Sequence, residues 1–226
     1  MIFSWTLIEQ YFDHCQEQAR QVYVVKTAKK TYGQGQTQGI NTHAAIDNHI
    51  RKHDLLPPSL EWLKPYLDSF RGSGTAMTEK QWAVDRWLNA CMYWGTSNGK
   101  DPYIRGKWDL AVKNGSKGLL VDWKDGKEWE KDGQLELGAM LWMANDPEIM
   151  TVTGINFWLQ ERKFTKEPYV TTRDDLSPLW GQKWLRKMRE IEAKDPTKEW
   201  ERNPATWRCA SCPVVSCAHN PGYKHA

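Results

Sequence analysis

Apolar positions recur along this chain with two different periods, which predicts helices at both ends and strands in the middle. Thr6 and Glu9 have the spacing of a capping box, so a helix is expected from about Leu7 to Val24, carrying Cys15. "YGQGQTQG" (32–39) holds three glycines and no apolar period, and reads as a flexible loop. In the helix "INTHAAIDNHIRKH" that follows, Ile46 and Ile50 share a face, and His43 lies one turn before Asp47 on that side. A Pro-Pro break then opens another helix within "LLPPSLEWLKPYLDSF".

The middle has period two. "MTEKQWAVDRW" (77–87) is a first candidate strand. In "YIRGKWDLAV" (103–112), Ile104, Trp108, Leu110 and Val112 should face one way, and Tyr103, Arg105, Lys107 and Asp109 the other. Asn114-Gly115 is a hairpin signal, and "GLLVDWK" returns as the partner, with Leu120, Asp122 and Lys124 on one face. A helix from about Gly133 to Ala144, the strand "VTGINFWL" and a long helix opened by Ser177-Pro178 complete the body. Helices around a mixed central sheet make an α/β or α+β domain.

Composition narrows the class. The chain has 226 residues, 40% hydrophobic and 26% charged, with 14 tryptophans. That suits one domain with an appendage and an indole-rich core. A net charge of +3 does not by itself argue for nucleic acid; the cluster Lys26, Lys29 and Lys30 is by default a solvated face, with a phosphate track as the alternative. No stretch reaches the roughly 20 apolar residues that span a bilayer, and no secretory signal opens the chain. A cytoplasmic protein is expected, in which five cysteines mean free thiols or a metal site.

The hairpin carries the chemistry. It can bring Asp109 and Asp122 to the same end of the sheet, where two carboxylates repel unless a cation lies between them. Hard oxygen donors suit Mg²⁺ or Mn²⁺. Lys124, two residues from Asp122, projects into the same space and can steady phosphate charge or act on a water. The plain alternatives are Asp109 paired with Arg105 or Lys107, Asp122 paired with Lys124, and a solvated His49 and His53.

Asp109 in "RGKWDLAV" followed by Asp122 and Lys124 in "VDWKDGK" resembles the PD-(D/E)XK nuclease signature, and the surroundings resemble its RecB-like exonuclease branch, phage members included. The resemblance runs from about residue 4 to 220. It implies an α/β fold with a restriction-endonuclease-like core: a mixed sheet flanked by helices. It implies His43 as a metal ligand from the upstream helix, with Asp109, Asp122 and the Trp123 carbonyl. It also implies Gln134 beside Lys124, and Glu79 as the acid before the first catalytic strand. Gly138 stands where that branch usually has tyrosine. The implied function is Mg²⁺- or Mn²⁺-dependent hydrolysis of DNA by a metal-activated water, most directly as an exonuclease on linear ends or single strands. A structure-specific endonuclease and a non-catalytic DNA-binding protein with a vestigial site are the alternatives. Recombination, repair and CRISPR adaptation all use such proteins, with protein partners in some; polarity and oligomeric state stay open.

The chain then divides into a nuclease domain, 1–205, and a cysteine-rich tail, 206–226. Cys209, Cys212 and Cys217 form C-x2-C-x4-C, three thiols close enough to mean a metal. The resemblance adds Cys15 as the fourth ligand of a [4Fe–4S] cluster joining the chain ends; Zn²⁺ with His219 is the alternative. Cys91 reads as a buried, inert thiol.

Overall fold

A computed structural model of the protein describes residues 1–29, 34–95, 101–126 and 133–222. Its centre is a six-stranded mixed sheet ordered β1 (Thr75–Val84), β2 (Ile104–Asn114), β3 (Lys117–Lys124), β4 (Thr151–Trp158) and β5 (Lys163–Phe164), with β6 (Tyr169–Thr172) also pairing β4. β3 and β4 run parallel; the other pairs are antiparallel. The β2–β3 hairpin turns at Gly115-Ser116, one residue beyond the expected Asn114-Gly115, because Asn114 still pairs with Lys117; Gly115 takes a φ of +57° that suits glycine at the first turn position.

Helices cover both faces. The helix Gly133–Asn145 makes the parallel crossover and is buried over nine successive residues, Leu135 to Met143. A helix apolar all round belongs in a core. Trp142 from it stacks on Trp82 with ring centroids 5.1 Å apart, and Trp82 reaches Trp108 at 5.3 Å. The opposite face is covered by the helices Gln34–Lys52 and Lys64–Gly72, whose Ile46, Ile50, Leu67 and Phe70 meet Leu110, Val112, Val121, Trp123 and Phe157.

In chain order the helices are α1 (Trp5–Glu9), α2 (Gln16–Ala19), α3 (Gln34–Lys52), α4 (Lys64–Gly72), α5 (Gly133–Asn145), α6 (Leu176–Pro178), α7 (Leu185–Glu192) and α8 (Thr206–Ala210), with π-helical turns at Gln10–His14, Arg20–Val24 and Leu179–Trp184. The expected helix from Leu7 to Val24 is therefore divided: Cys15 is extended, at φ −143° and ψ 118°, between α1 with its π-turn and α2. Its cap is Ser4, which accepts from the Leu7 N–H, rather than Thr6. The expected loop at 32–39 is helical from Gln34 onward; Tyr32 and Gly33 lie outside the described residues, as does Lys30. The glycines concealed that start, but Gly39 answers a close approach: a Cβ there would lie 2.5 Å from Asp125 Oδ2. The last helix is entered through a capping box of Thr172 and Asp175 rather than at Ser177.

The expected alternation of β2 is also corrected. Ile104 and Trp108 do face the α5 side, but Leu110 and Val112 face α3 and α4. The change of face falls where the β1–β2 ladder skips the opposed residues Glu79 and Asp109, with Glu79 at φ +51°. β3 keeps strict alternation, with Leu119, Val121 and Trp123 toward α3 and α4 and Leu120 toward α5. His49, expected on the surface, is buried at the end of α3 with Nδ1 2.7 Å from the Asp54 carbonyl; His53 is exposed. Cys91 is half-buried rather than buried.

Candidate active site and cysteine pocket

Where the β2 ladder changes face, Asp109 is released from ordinary strand packing. The β2–β3 pairing ends at Leu110 and Val121, one residue short of Asp109 and Asp122. Beyond it the Asp109 carboxylate acts as the acceptor that a neighbouring backbone would have been: Trp123 N–H donates to its Oδ2 at 2.9 Å. Its Oδ1 lies 3.2 Å from His43 Nδ1, supplied by α3. On the other side of Trp123, the Lys124 carbonyl accepts from Leu159 N–H toward β4. Successive residues of a strand aim their backbone groups at opposite neighbours, so the Trp123 carbonyl turns toward β2, where the ladder has ended.

Asp122 is almost wholly buried on the α5 side. Gln134, at the start of α5, donates from Nε2 to Asp122 Oδ1 at 2.9 Å and accepts from Lys124 Nζ at 2.8 Å. Lys124 also forms an ion pair with Asp122 Oδ2, an atom that otherwise finds no hydrogen-bond partner. Asp122, Lys124 and Gln134 thus close a ring, beside the Asp109–His43 pair.

Electrostatics follow from that crowding. Burial pushes the Asp122 carboxyl up to about 6, and Asp109 adds to the rise while Lys124 and His43 oppose it. Burial works against a charged His43 ring, yet the bond to Asp109 together with the charges of Asp109, Asp122 and Asp125 outweighs it and raises the pKa. Burial likewise opposes the Lys124 charge, and Asp122 overcomes it, so this lysine stays an ammonium. Glu9 of α1 acts on Lys124 in the same sense.

Five of the expected site residues therefore meet: His43, Asp109, Asp122, Lys124 and Gln134. Glu79 stands opposite Asp109, but its carboxylate pairs with Lys107 and joins no member of that group. Asp125 was not anticipated. Burial raises its pKa, Asp109 adds to this and His43 opposes it, which puts a third carboxylate beside the site. The glycine at position 39, where Asp125 comes close, was the available signal. Gly138 has a local reason too: a Cβ there would lie 2.2 Å from Trp108 Nε1, so the Trp108 indole fills the space of any side chain at that position.

Hard donors from His43, Asp109, Asp122 and the Trp123 carbonyl suit a small divalent ion. Asp122 Oδ2 is buried, pairs with the Lys124 ammonium and keeps acceptor capacity for such an ion. Among the described residues no three His, Cys, Asp or Glu side chains already stand in a coordinating arrangement.

Cys15, Cys209, Cys212, Cys217 and His219 line one pocket, with Arg202, Arg208 and Val214. The tail is held to the N-terminal helices there by Arg208, which donates to the His14 carbonyl at 3.0 Å. Burial raises the Cys212 thiol pKa, and the proximity of Cys15, Cys209 and Cys217 raises it further.

A parallel crossover that sets a helix-borne glutamine over an acid-x-lysine strand end defines a class of phosphodiester-cleaving folds, and the comparisons give it a name. Residues 4–217 match the family model of the PD-(D/E)XK nuclease superfamily, and the chain belongs to that superfamily. Among solved structures, it is similar to a candidate exonuclease from Eubacterium rectale, with TM-score 0.53 and 9% identity over 99% of this chain and 88% of that one. It also matches the structure of SSO0001, with TM-score 0.42 and 13% identity over 99% of this chain and 87% of that one. No curated protein matches. Among the described residues no helix is long and apolar enough to cross a membrane.

Proposed function

We propose that the protein is a divalent-metal-dependent deoxyribonuclease that hydrolyses phosphodiester bonds from DNA ends. The observation that carries this reading is the closed Asp122–Lys124–Gln134 ring set against the Asp109–His43 pair. Membership of a nuclease superfamily supports it, and the likeness to a candidate exonuclease favours action at ends.

His43, Asp109, Asp122 and the Trp123 carbonyl would hold Mg²⁺ or Mn²⁺. When bound, such an ion lowers the pKa of a water and stabilises an oxyanion leaving group. The chain's own residues do the rest. Lys124 has its pKa raised by Asp122, which suits it to place positive charge beside the phosphate oxygens in the transition state. Gln134 holds the Lys124 ammonium in place, and its second bond orients Asp122. Asp109 spans His43 and the Trp123 backbone, so the upstream helix and the strand end move as one.

The tail, 206–226, is proposed as an appendage that clasps the N-terminal helices of the nuclease domain, 1–205. Cys15, Cys209, Cys212 and Cys217 would carry a [4Fe–4S] cluster, four thiolates on iron. His219 lines the same pocket and makes Zn²⁺ the rival occupant. Broad visible absorption after anaerobic purification is expected for iron–sulfur, and a colourless zinc-containing protein would decide for the rival.

End-labelled linear DNA incubated with a series of divalent ions tests the activity. Stepwise shortening with Mg²⁺ or Mn²⁺, lost in Asp122→Asn, is expected. Undiminished degradation by a folded Asp122→Asn protein would exclude this site, and cutting of circular DNA would replace the exonuclease with an endonuclease.

A further inference from the structure

The connection after β1 carries three exposed large side chains: Trp87 at 77%, Met92 at 57% and Trp94 at 75%. It is a built surface. Buried Asp85 gathers the Trp87 and Asn89 N–H groups at 2.9 Å each, and Cys91 N–H bonds back to the Ala83 carbonyl. From β2, Arg105 donates to the Tyr93 carbonyl at 2.9 Å and lays its guanidinium over two rings, 4.6 Å from the Trp94 centroid and 4.9 Å from that of Tyr93. Arginine on indole locks the ring orientation while leaving the other indole surface in solvent.

This platform lies beside the candidate active site. Arg105 and Asp109 are four residues apart on β2, roughly 13 Å by the rise of a strand. Lys107 stands between them and feels the charges of both Tyr93 and Asp109.

We propose that Trp94, held by Arg105 and Tyr93, is a stacking platform for an unpaired base, so that a single-stranded DNA end is the form that enters the site. This rests on the nuclease reading and names its substrate class. Stacking separates single strands from duplexes. The exposed face of the Trp94 indole can take an unpaired base of any sequence. In a duplex the base faces are already stacked on one another and cannot use it.

The test is fluorescence anisotropy of a labelled oligo-dT and of a blunt duplex, with the full chain in chelator so that nothing is cut. Trp94→Ala should weaken oligo-dT binding about tenfold, leave duplex binding unchanged, and barely alter the salt dependence. Trp94→Phe, which keeps a ring, should recover most of the affinity, and this separates stacking from misfolding. Equal oligo-dT binding by wild type and Trp94→Ala overturns the proposal and leaves the patch to a protein partner; parallel loss on both DNAs overturns it as well. Hydrolysis by the wild type with Mn²⁺ is scored separately. A selective binding loss without any hydrolysis would keep the platform and discard the nuclease, and hydrolysis with no binding loss would do the reverse.

Discussion

Asp122, Lys124 and Gln134 hold one another by hydrogen bonds and an ion pair across a strand end and a helix start, whereas Cys15, Cys209, Cys212 and Cys217 meet only by lining one pocket. The first group is positioned by the sheet and by α5, the most deeply buried helix. The second joins a break in the N-terminal helix to a short final one. A charged site that must work in one geometry is pre-organised by the fold. In the proposed cluster, the four thiols would depend on their occupant to draw them together.

The sharpest way to break this contrast is to remove one member from each region and follow hydrolysis. Lys124→Ala should cost about a hundredfold or more in rate, roughly 3 kcal/mol of transition-state stabilisation. Cys212→Ser should leave the chemical step within about twofold at a temperature where it stays folded, since distant sites act independently. Comparable losses in single-turnover rate would mean that the two regions are one machine.

Stability should fall in both variants, by different routes. Cys212→Ser, or removal of the proposed cluster, is expected to lower the melting temperature by more than about 5 °C, given roughly 2–4 °C per kcal/mol in a chain of this size. Proteolysis should begin in the tail, with Arg208 and its bond to His14 released first. Lys124→Ala leaves the buried Asp122 carboxylate without its cation, so at neutral pH it too should melt below wild type, with the tail as protected from protease as before. Scanning calorimetry with limited proteolysis separates the two.

A smaller effect probes the packing beneath the active site. Gly138→Ala must displace the Trp108 indole, whose Nε1 already lacks a partner. Overpacking of that kind costs about 1–3 kcal/mol. Gln134 lies one helical turn earlier, so denaturant unfolding should register the loss while the binding of Mn²⁺ weakens only slightly. An unaffected midpoint would show that Trp108 has room to move.

Much of this was legible in the residues. The hairpin, the α5 helix and the acid-x-lysine pair Asp122 and Lys124 carry local signals: a turn dipeptide, a period, a spacing; His43 and Gln134 were placed by the family resemblance. What escaped depended on tertiary contacts. The change of face at Asp109 arises from two strands skipping a pair together, and neither strand announces it alone. The start of α3 was hidden by its glycines, one of which, Gly39, serves an approach by Asp125 from beyond β3. His49 meets the Asp54 carbonyl, which lies just past the end of α3. Cys15 looked like a mid-helix residue, and the extended backbone that turns it to the tail has no local sequence cause.

The smallest expected effect concerns charge in the metal-free protein. Asp122 titrates near 6 when folded, against about 3.9 in an unfolded chain. A raised carboxyl pKa means that the native state binds its proton more tightly. The associated stability is therefore complete below about pH 4 and is lost as pH rises through about 6. Asn keeps the shape and cannot ionise. In chelator, Asp122→Asn should match the wild type near pH 4 and exceed it at pH 7, by on the order of 1 kcal/mol. His43 is also raised, in part by Asp122 itself, so the difference between the two melting curves reports Asp122 together with the groups its charge acts on. Adding Mn²⁺ should then stabilise the wild type alone. If Asp122→Asn gained as much from Mn²⁺, the ion would be held elsewhere, and the contrast between a pre-organised charged site and an occupant-dependent thiol site would lose its first half.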